Sequence, residues 1–96
     1  MNKIVEELQD NKIVKTRLGG NSMTPIIKSK QLVTIEPCKP GDLSVGDVVY
    51  CRVKGSYYLH LIKQISTDGR FLIGNNHGRI NGWTRNVFGK LTNVEP

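Results

Sequence analysis

The stretch Val48-Val49-Tyr50-Cys51-Arg52-Val53-Lys54-Gly55-Ser56-Tyr57-Tyr58-Leu59-His60-Leu61-Ile62-Lys63-Gln64-Ile65 decides the fold class. Two runs rich in β-branched and aromatic residues flank a short break centred on glycine, the pattern of two antiparallel strands joined by a tight hairpin. Val48 to Val53 is the outgoing strand, Lys54-Gly55-Ser56 the turn, and Tyr57 to Ile65 the returning strand. Alternation along the returning strand puts His60 on the face of Tyr58 and Ile62, and Lys63 on the opposite face.

Working outward, the same pattern of short runs and breaks continues in both directions. Upstream, Ile13 to Arg17 alternates as a strand, Gly19-Gly20-Asn21 breaks it, and Gln31 to Glu36 alternates again. Ser22-Met23-Thr24-Pro25 between them reads as a turn or short helical segment. Pro37, Pro40 and Gly41 end the second of these strands, and Gly46-Asp47 turns the chain into the central hairpin. Downstream, Asp68-Gly69 starts a turn, Arg70 to Ile73 pairs back, and Val87 to Val94 closes the sheet. Gly74 to Gly82 reads as a polar, glycine-rich loop holding Asn75, Asn76, His77 and Asn81. Ile4, Val5 and Leu8 among acidic neighbours suit a short amphipathic helix or arm over residues 1–12, stopped near Asp10 and Asn11. The expected fold is mostly β, a small antiparallel barrel or coiled sheet with at most one N-terminal helix.

Ninety-six residues provide material for one modest core, so a single domain with its core over 13–94 is expected. No apolar run approaches the roughly 20 residues of a membrane span, and the N-terminal MNKIVEELQD is charged where a secretion signal needs apolar residues. The expectation is a cytoplasmic protein without membrane insertion. Cys38 and Cys51 lack metal-ligand spacing and read as reduced packing residues. No metal or cofactor is expected. A net charge of +6 permits an acidic partner such as nucleic acid, but the 14 Lys and Arg are scattered along the chain and favour a solvated surface.

A serine placed after a glycine-rich break can expose both its hydroxyl and its backbone N–H to one bound carbonyl. The hydroxyl becomes a nucleophile only when a base takes its proton, so Ser22 needs a His or Lys from elsewhere in the fold. His60 and Lys63 are the candidates, and their opposite faces mean that only one can serve; His60 is favoured.

From Gly20 to Val94 the chain resembles the LexA and signal peptidase superfamily. Gly20-Asn21-Ser22-Met23-Thr24-Pro25 is similar to its Ser-Met box. Val33-Thr34-Ile35-Glu36 and Leu43-Ser44-Val45-Gly46-Asp47-Val48-Val49 resemble its next strand and its Gly-Asp-Ile-Val turn. Tyr58-Leu59-His60-Leu61-Ile62 resembles the segment that carries a catalytic Lys in LexA and bacterial signal peptidases and a His in eukaryotic, archaeal and sporulation-type signal peptidases. Ile73-Gly74-Asn75-Asn76 is similar to the Gly-Asp-Asn box. The resemblance implies Ser22 as nucleophile with its N–H in the oxyanion hole, and His60 as general base. Asn75 stands in the position of the acid that orients the histidine. Gly20, Asn21, Met23, Pro25 and Asn76 are implied to line the substrate groove. Asn75 departs from the family pattern, since a neutral amide can orient an imidazole but stabilises an imidazolium less than a carboxylate does. A transmembrane anchor and a helix-turn-helix are absent from these residues, and the expectation is a stand-alone catalytic core.

Three functions follow as expectations. The first is a serine peptidase using a Ser-His pair on an extended peptide or protein segment. The second is a non-catalytic peptide-binding module of the same fold. The third is a nucleic-acid-binding β-barrel that would stack bases on Tyr57, Tyr58, Phe71 and Trp83.

Overall fold

The computed structural model describes residues 2–96. One short helix, α1 (Lys3–Gln9), precedes seven strands: β1 (Val14–Arg17), β2 (Leu32–Pro37), β3 (Val48–Val53), β4 (Ser56–Ile65), β5 (Phe71–Gly74), β6 (Ile80–Thr84) and β7 (Val87–Val94). All pair antiparallel in one sheet of order β1-β2-β7-β3-β4-β5-β6. The sheet is open, with β1 and β6 at its edges. It coils strongly enough that the end of β6 returns to β3, where the Thr84 hydroxyl donates to the Arg52 carbonyl at 2.6 Å.

The hairpin β3–β4 forms the centre of the sheet because its alternation supplies apolar side chains to both faces. Val48, Tyr50 and Leu59 enter one core with Val5, Leu8, Val14, Met23, Ile27, Val33 and Ile35. Val49, Cys51, Val53 and Ile62 enter a second with Leu43, Phe71 and Ile73. A strand buried on both faces needs a continuous apolar run, as Val48 to Cys51 provides. Gly55 takes φ +86 in the tight turn after Lys54.

Helix α1 is capped by Asn2, whose side-chain oxygen accepts from the Val5 N–H at 3.2 Å. The same side chain donates to the Tyr50 hydroxyl at 2.8 Å, and Val5 and Leu8 pack into the first core. The N-terminal segment is therefore docked on the sheet. Gly89 on β7 allows this approach, because a Cβ there would lie 2.9 Å from Leu8 Cδ2 and 2.8 Å from the Glu36 carbonyl oxygen.

One element departs from the expectation. The loop anticipated over Gly74–Gly82 is confined to residues 75–79, and Ile80–Thr84 forms the edge strand β6. Its alternation is masked by Asn81 and Gly82, and only Thr84 of its side chains is buried. An exposed edge strand carries little periodic signal.

Candidate active site

Ser22 lies in the irregular segment between β1 and β2. That segment is tied at its base by Lys30 N–H donating to the Leu18 carbonyl at 2.8 Å, and by Gly20 N–H donating to Ser29 Oγ at 3.1 Å. Met23 and Ile27 anchor it in the first core, and Ser22, between Asn21 and Met23, is half-buried. Gly20 takes φ +103, a conformation open to glycine at no steric cost.

His60 projects from β4 on the face of Tyr58 and Ile62, as alternation requires. Its ring is buried to 7% exposure and stacks on Tyr58 with centroids 4.9 Å apart. The Ser22 Oγ lies 2.9 Å from His60 Nε2. On the other side of the ring, Nδ1 lies 2.8 Å from Asn81 Oδ1. An amide oxygen only accepts, so Nδ1 carries the proton and the Nε2 lone pair is left to accept from the Ser22 hydroxyl. Burial holds the His60 pKa below its ordinary value, and the bond to Asn81 offsets part of that shift. The imidazole is thus neutral at neutral pH, the form a base requires.

Lys63, the other candidate base, is the extra residue of a bulge in β4 opposite Ile73 and Leu72. Its chain runs over Gly74, where a Cβ would meet Lys63 Cε at 3.0 Å. Ser22 is paired with the histidine.

The amide hydrogen-bonded to the His60 ring is that of Asn81 rather than Asn75. In register Leu61 pairs with Gly74, so the next residue, Asn75, starts beside His60. The chain leaves the sheet there, and Asn75 Oδ1 turns back to accept the N–H groups of His77 at 2.8 Å and Arg79 at 2.9 Å. Its side chain is committed to its own turn. Asn81 takes the place opposite His60 through a bulge: Gly74 pairs with Ile80 and Ile73 with Gly82, which leaves Asn81 as the extra residue. Bulges re-aim side chains beside active sites, and this one sends an amide two strands across to the histidine. No pattern in the sequence marks the offset; the Asn81-Gly82 pair is its only trace.

The implied groove residues divide. Gly20 and Met23, with Ser22 and His60, line a cavity of about 280 Å³ walled by Leu18, Ile27, Leu59 and the rings of Tyr50, Tyr57 and Tyr58. Beyond the Ser22–His60 pair, a shallower and more polar groove runs past Asn75, Arg79 and Asn81. Asn21, Pro25 and Asn76 line neither. Asn76 instead supports the serine segment: its backbone N–H donates to the Ser22 carbonyl at 2.9 Å, and its Nδ2 donates to the Thr24 carbonyl at 2.9 Å. His77 Nε2 lies 3.1 Å from the Asn21 carbonyl oxygen and 3.0 Å from Thr24 Oγ1.

The four aromatics considered for base stacking occupy separate surroundings. Phe71 is in the second core, Tyr58 covers His60, Tyr57 stacks on Tyr50 at 6.1 Å, and Trp83 carries the Arg70 guanidinium at 5.5 Å. Cys51 is fully buried and its thiol is pushed up to about 12 by desolvation, which makes it a packing residue. Among the described residues no cluster of His, Cys, Asp and Glu is arranged to hold a metal ion, and no helix is long and apolar enough to cross a membrane.

A hydroxyl, an imidazole and an amide in one hydrogen-bonded line form the relay needed to move a proton off an attacking oxygen. The Peptidase S24-like family matches residues 3–81, a span that contains Ser22, His60, Asn75, Asn76 and Asn81. No curated protein and no solved structure matches the chain.

Proposed function

The chain belongs to the Peptidase S24-like family, and from that premise we propose that it is a serine peptidase in which Ser22, His60 and Asn81 act as nucleophile, general base and orienting group. The observation that carries this reading is the 2.9 Å approach of Ser22 Oγ to His60 Nε2, at hydrogen-bond distance before any substrate arrives.

In the proposed reaction His60 Nε2 takes the hydroxyl proton as Ser22 Oγ attacks a peptide carbonyl. The tetrahedral oxyanion falls within reach of the Ser22 backbone N–H, which has no backbone acceptor among the described residues. Collapse breaks the C–N bond, and the imidazolium returns its proton to the leaving amine. Water then attacks the acyl-serine through the same histidine, releasing the acid and restoring the hydroxyl. The cavity beside Ser22 has no charged residue in its wall, so it suits an uncharged side chain of the substrate, with the remaining peptide extended along the groove.

The test needs no knowledge of the natural substrate. A fluorophosphonate places an electrophilic phosphorus where the carbonyl would be; an activated serine displaces fluoride and retains the phosphonyl group. Intact-mass and peptide mapping should find one adduct on Ser22 of the parent protein and none on Ser22→Ala or His60→Ala, with all three proteins folded. A folded parent that gains no adduct refutes the peptidase reading.

One observation favours the second reading, a peptide-binding module without turnover: Asn81 is neutral where a carboxylate would stabilise the imidazolium. That reading predicts peptide binding that survives His60→Ala, with no new peptide termini by mass spectrometry.

A further inference from the structure

Ser22 sits on a loop, and a loop is an imprecise platform for an attacking atom. The Gly19-Gly20 pair before it gives the backbone unusual freedom, yet a misplacement of about 1 Å at a reacting centre costs on the order of 10²-fold in rate. Something must hold the segment from outside. Its own bonds tie its base, through Lys30 N–H to the Leu18 carbonyl, and its turns, through the Thr24 N–H and hydroxyl to the Asn21 carbonyl and Ile27 N–H to the Met23 carbonyl, but none of them reaches the Ser22 carbonyl.

The missing support comes from the turn between β5 and β6. Three carbonyls of the serine segment, those of Asn21, Ser22 and Thr24, point at this turn, and each meets a donor there. Asn76 N–H serves Ser22, Asn76 Nδ2–H serves Thr24, and His77 Nε2 serves Asn21. The turn is itself pre-folded: Asn75 Oδ1 gathers the N–H groups of His77 and Arg79, Asn75 N–H donates back to the Arg79 carbonyl at 2.9 Å, and Gly78 takes φ +86. The donors are therefore held in place by bonds within the turn itself. The same hairpin carries Asn81, so nucleophile and orienting group are referenced to one rigid piece of backbone.

A trans peptide points its C=O and N–H in opposite directions. Fixing the Ser22 carbonyl on Asn76 therefore fixes the rotation of the Ser22–Met23 peptide plane, and with it the backbone from which Oγ projects. We infer that Asn76 and His77 are positioning residues, a clamp that holds the Ser22 backbone in register with the His60 ring. This inference rests on the reading of Ser22 as nucleophile.

The experiment compares Asn76→Asp, Asn76→Ala, His77→Ala and His77→Gln in the rate of fluorophosphonate labelling across pH. Asp is isosteric with Asn but has no proton to donate to the Thr24 carbonyl, so a space-filling role predicts the parent rate and a clamp predicts a loss. The expected result is a drop of about tenfold or more for Asn76→Asp and Asn76→Ala. The midpoint of the pH profile should stay in place, since His60 and Asn81 are untouched. His77→Ala should also slow labelling, and His77→Gln, which keeps an amide donor near the Nε2 position, should recover most of that loss.

Residue-resolved hydrogen exchange provides a readout independent of chemistry: the amide of residue 76, which donates to Ser22, should exchange at least about tenfold faster in Asn76→Asp, a shift of one pH-independent decade in its opening equilibrium. An Asn76→Asp protein with the parent's labelling rate overturns the clamp. If the parent itself is not labelled, the peptidase reading fails, and unchanged protection at residue 76 would then overturn the clamp separately.

Discussion

Asn81→Asp should make Ser22 more reactive. In the parent, a neutral amide oxygen accepts from His60 Nδ1 at 2.8 Å. As the hydroxyl proton moves to Nε2, the ring becomes an imidazolium and that bond acquires charge on one side only. A carboxylate would add charge on the other. Net hydrogen bonds between neutral groups contribute roughly 0.5–1.5 kcal/mol and those to charged groups roughly 1.5–3 kcal/mol. Asn81 is half-buried and faces an open groove, so the gain belongs at the low end, about 1 kcal/mol. That corresponds to a labelling rate about fivefold above the parent.

The same carboxylate would favour protonated His60. The acid limb of the pH–rate profile, which lies low because burial depresses the His60 pKa, should therefore move up. Asn81→Ala gives the opposite control: Nδ1 loses its acceptor, the tautomer is no longer set, and the rate should fall by about fivefold. The assay is stopped-flow or gel-based fluorophosphonate labelling over pH on proteins of matched thermal midpoint. A folded Asn81→Asp protein that labels no faster, with an acid limb that stays in place or moves down, would refute the assignment of Asn81 to His60.

Three further outcomes follow from the same structure. The folded pKa of His60 lies below its ordinary value of 6.5, so the folded state binds this proton less readily than the unfolded one. Its contribution to stability is full above about pH 6.5 and is lost as pH falls from there through the folded value. His60→Gln should flatten that part of the curve of thermal midpoint against pH, and an unchanged slope would sink the idea. Gly89→Ala should destabilise by roughly 1–3 kcal/mol, because its Cβ would lie 2.8 Å from both the Glu36 carbonyl oxygen and Ile35 Cγ2. At about 4–8 °C per kcal/mol for a chain of this size the loss is easily seen by calorimetry, whereas Gly41→Ala, with nothing within 4 Å, should leave the midpoint near the parent's. Finally, peptides offering Leu or Phe to the cavity beside Ser22 should be turned over at least ~100-fold faster than those offering Asp or Lys, since a charge buried there finds no partner. Equal turnover would place the substrate side chain elsewhere.

Much of this architecture is legible in the chain itself. The β3–β4 hairpin, the breaks around Gly46-Asp47 and Asp68-Gly69, and helix α1 up to Asp10 all follow from local alternation and turn chemistry, and the observed bounds lie within a residue or two of those expected. Strand alternation also separates His60 from Lys63, and the resemblance of Tyr58–Ile62 favours the histidine, the residue whose Nε2 lies 2.9 Å from Ser22 Oγ. Strand β6 was not, because an exposed edge strand interrupted by Gly82 lacks the apolar period that a buried strand must have.

The sequence alone therefore determined what depends on short-range physics: a mostly β chain, a serine set just after a glycine-rich break, and a histidine on a known strand face. Tertiary structure decided the partners. Asn75 and Asn81 are chemically identical amides six positions apart, and Asn75 starts nearer to His60 in register. Only the bulge at Asn81, and the turn that consumes Asn75, reverse their roles. Asn76 and His77 likewise meet the serine segment across more than fifty residues of chain, because hydrogen bonds of that separation are set by how the sheet coils rather than by any spacing along it.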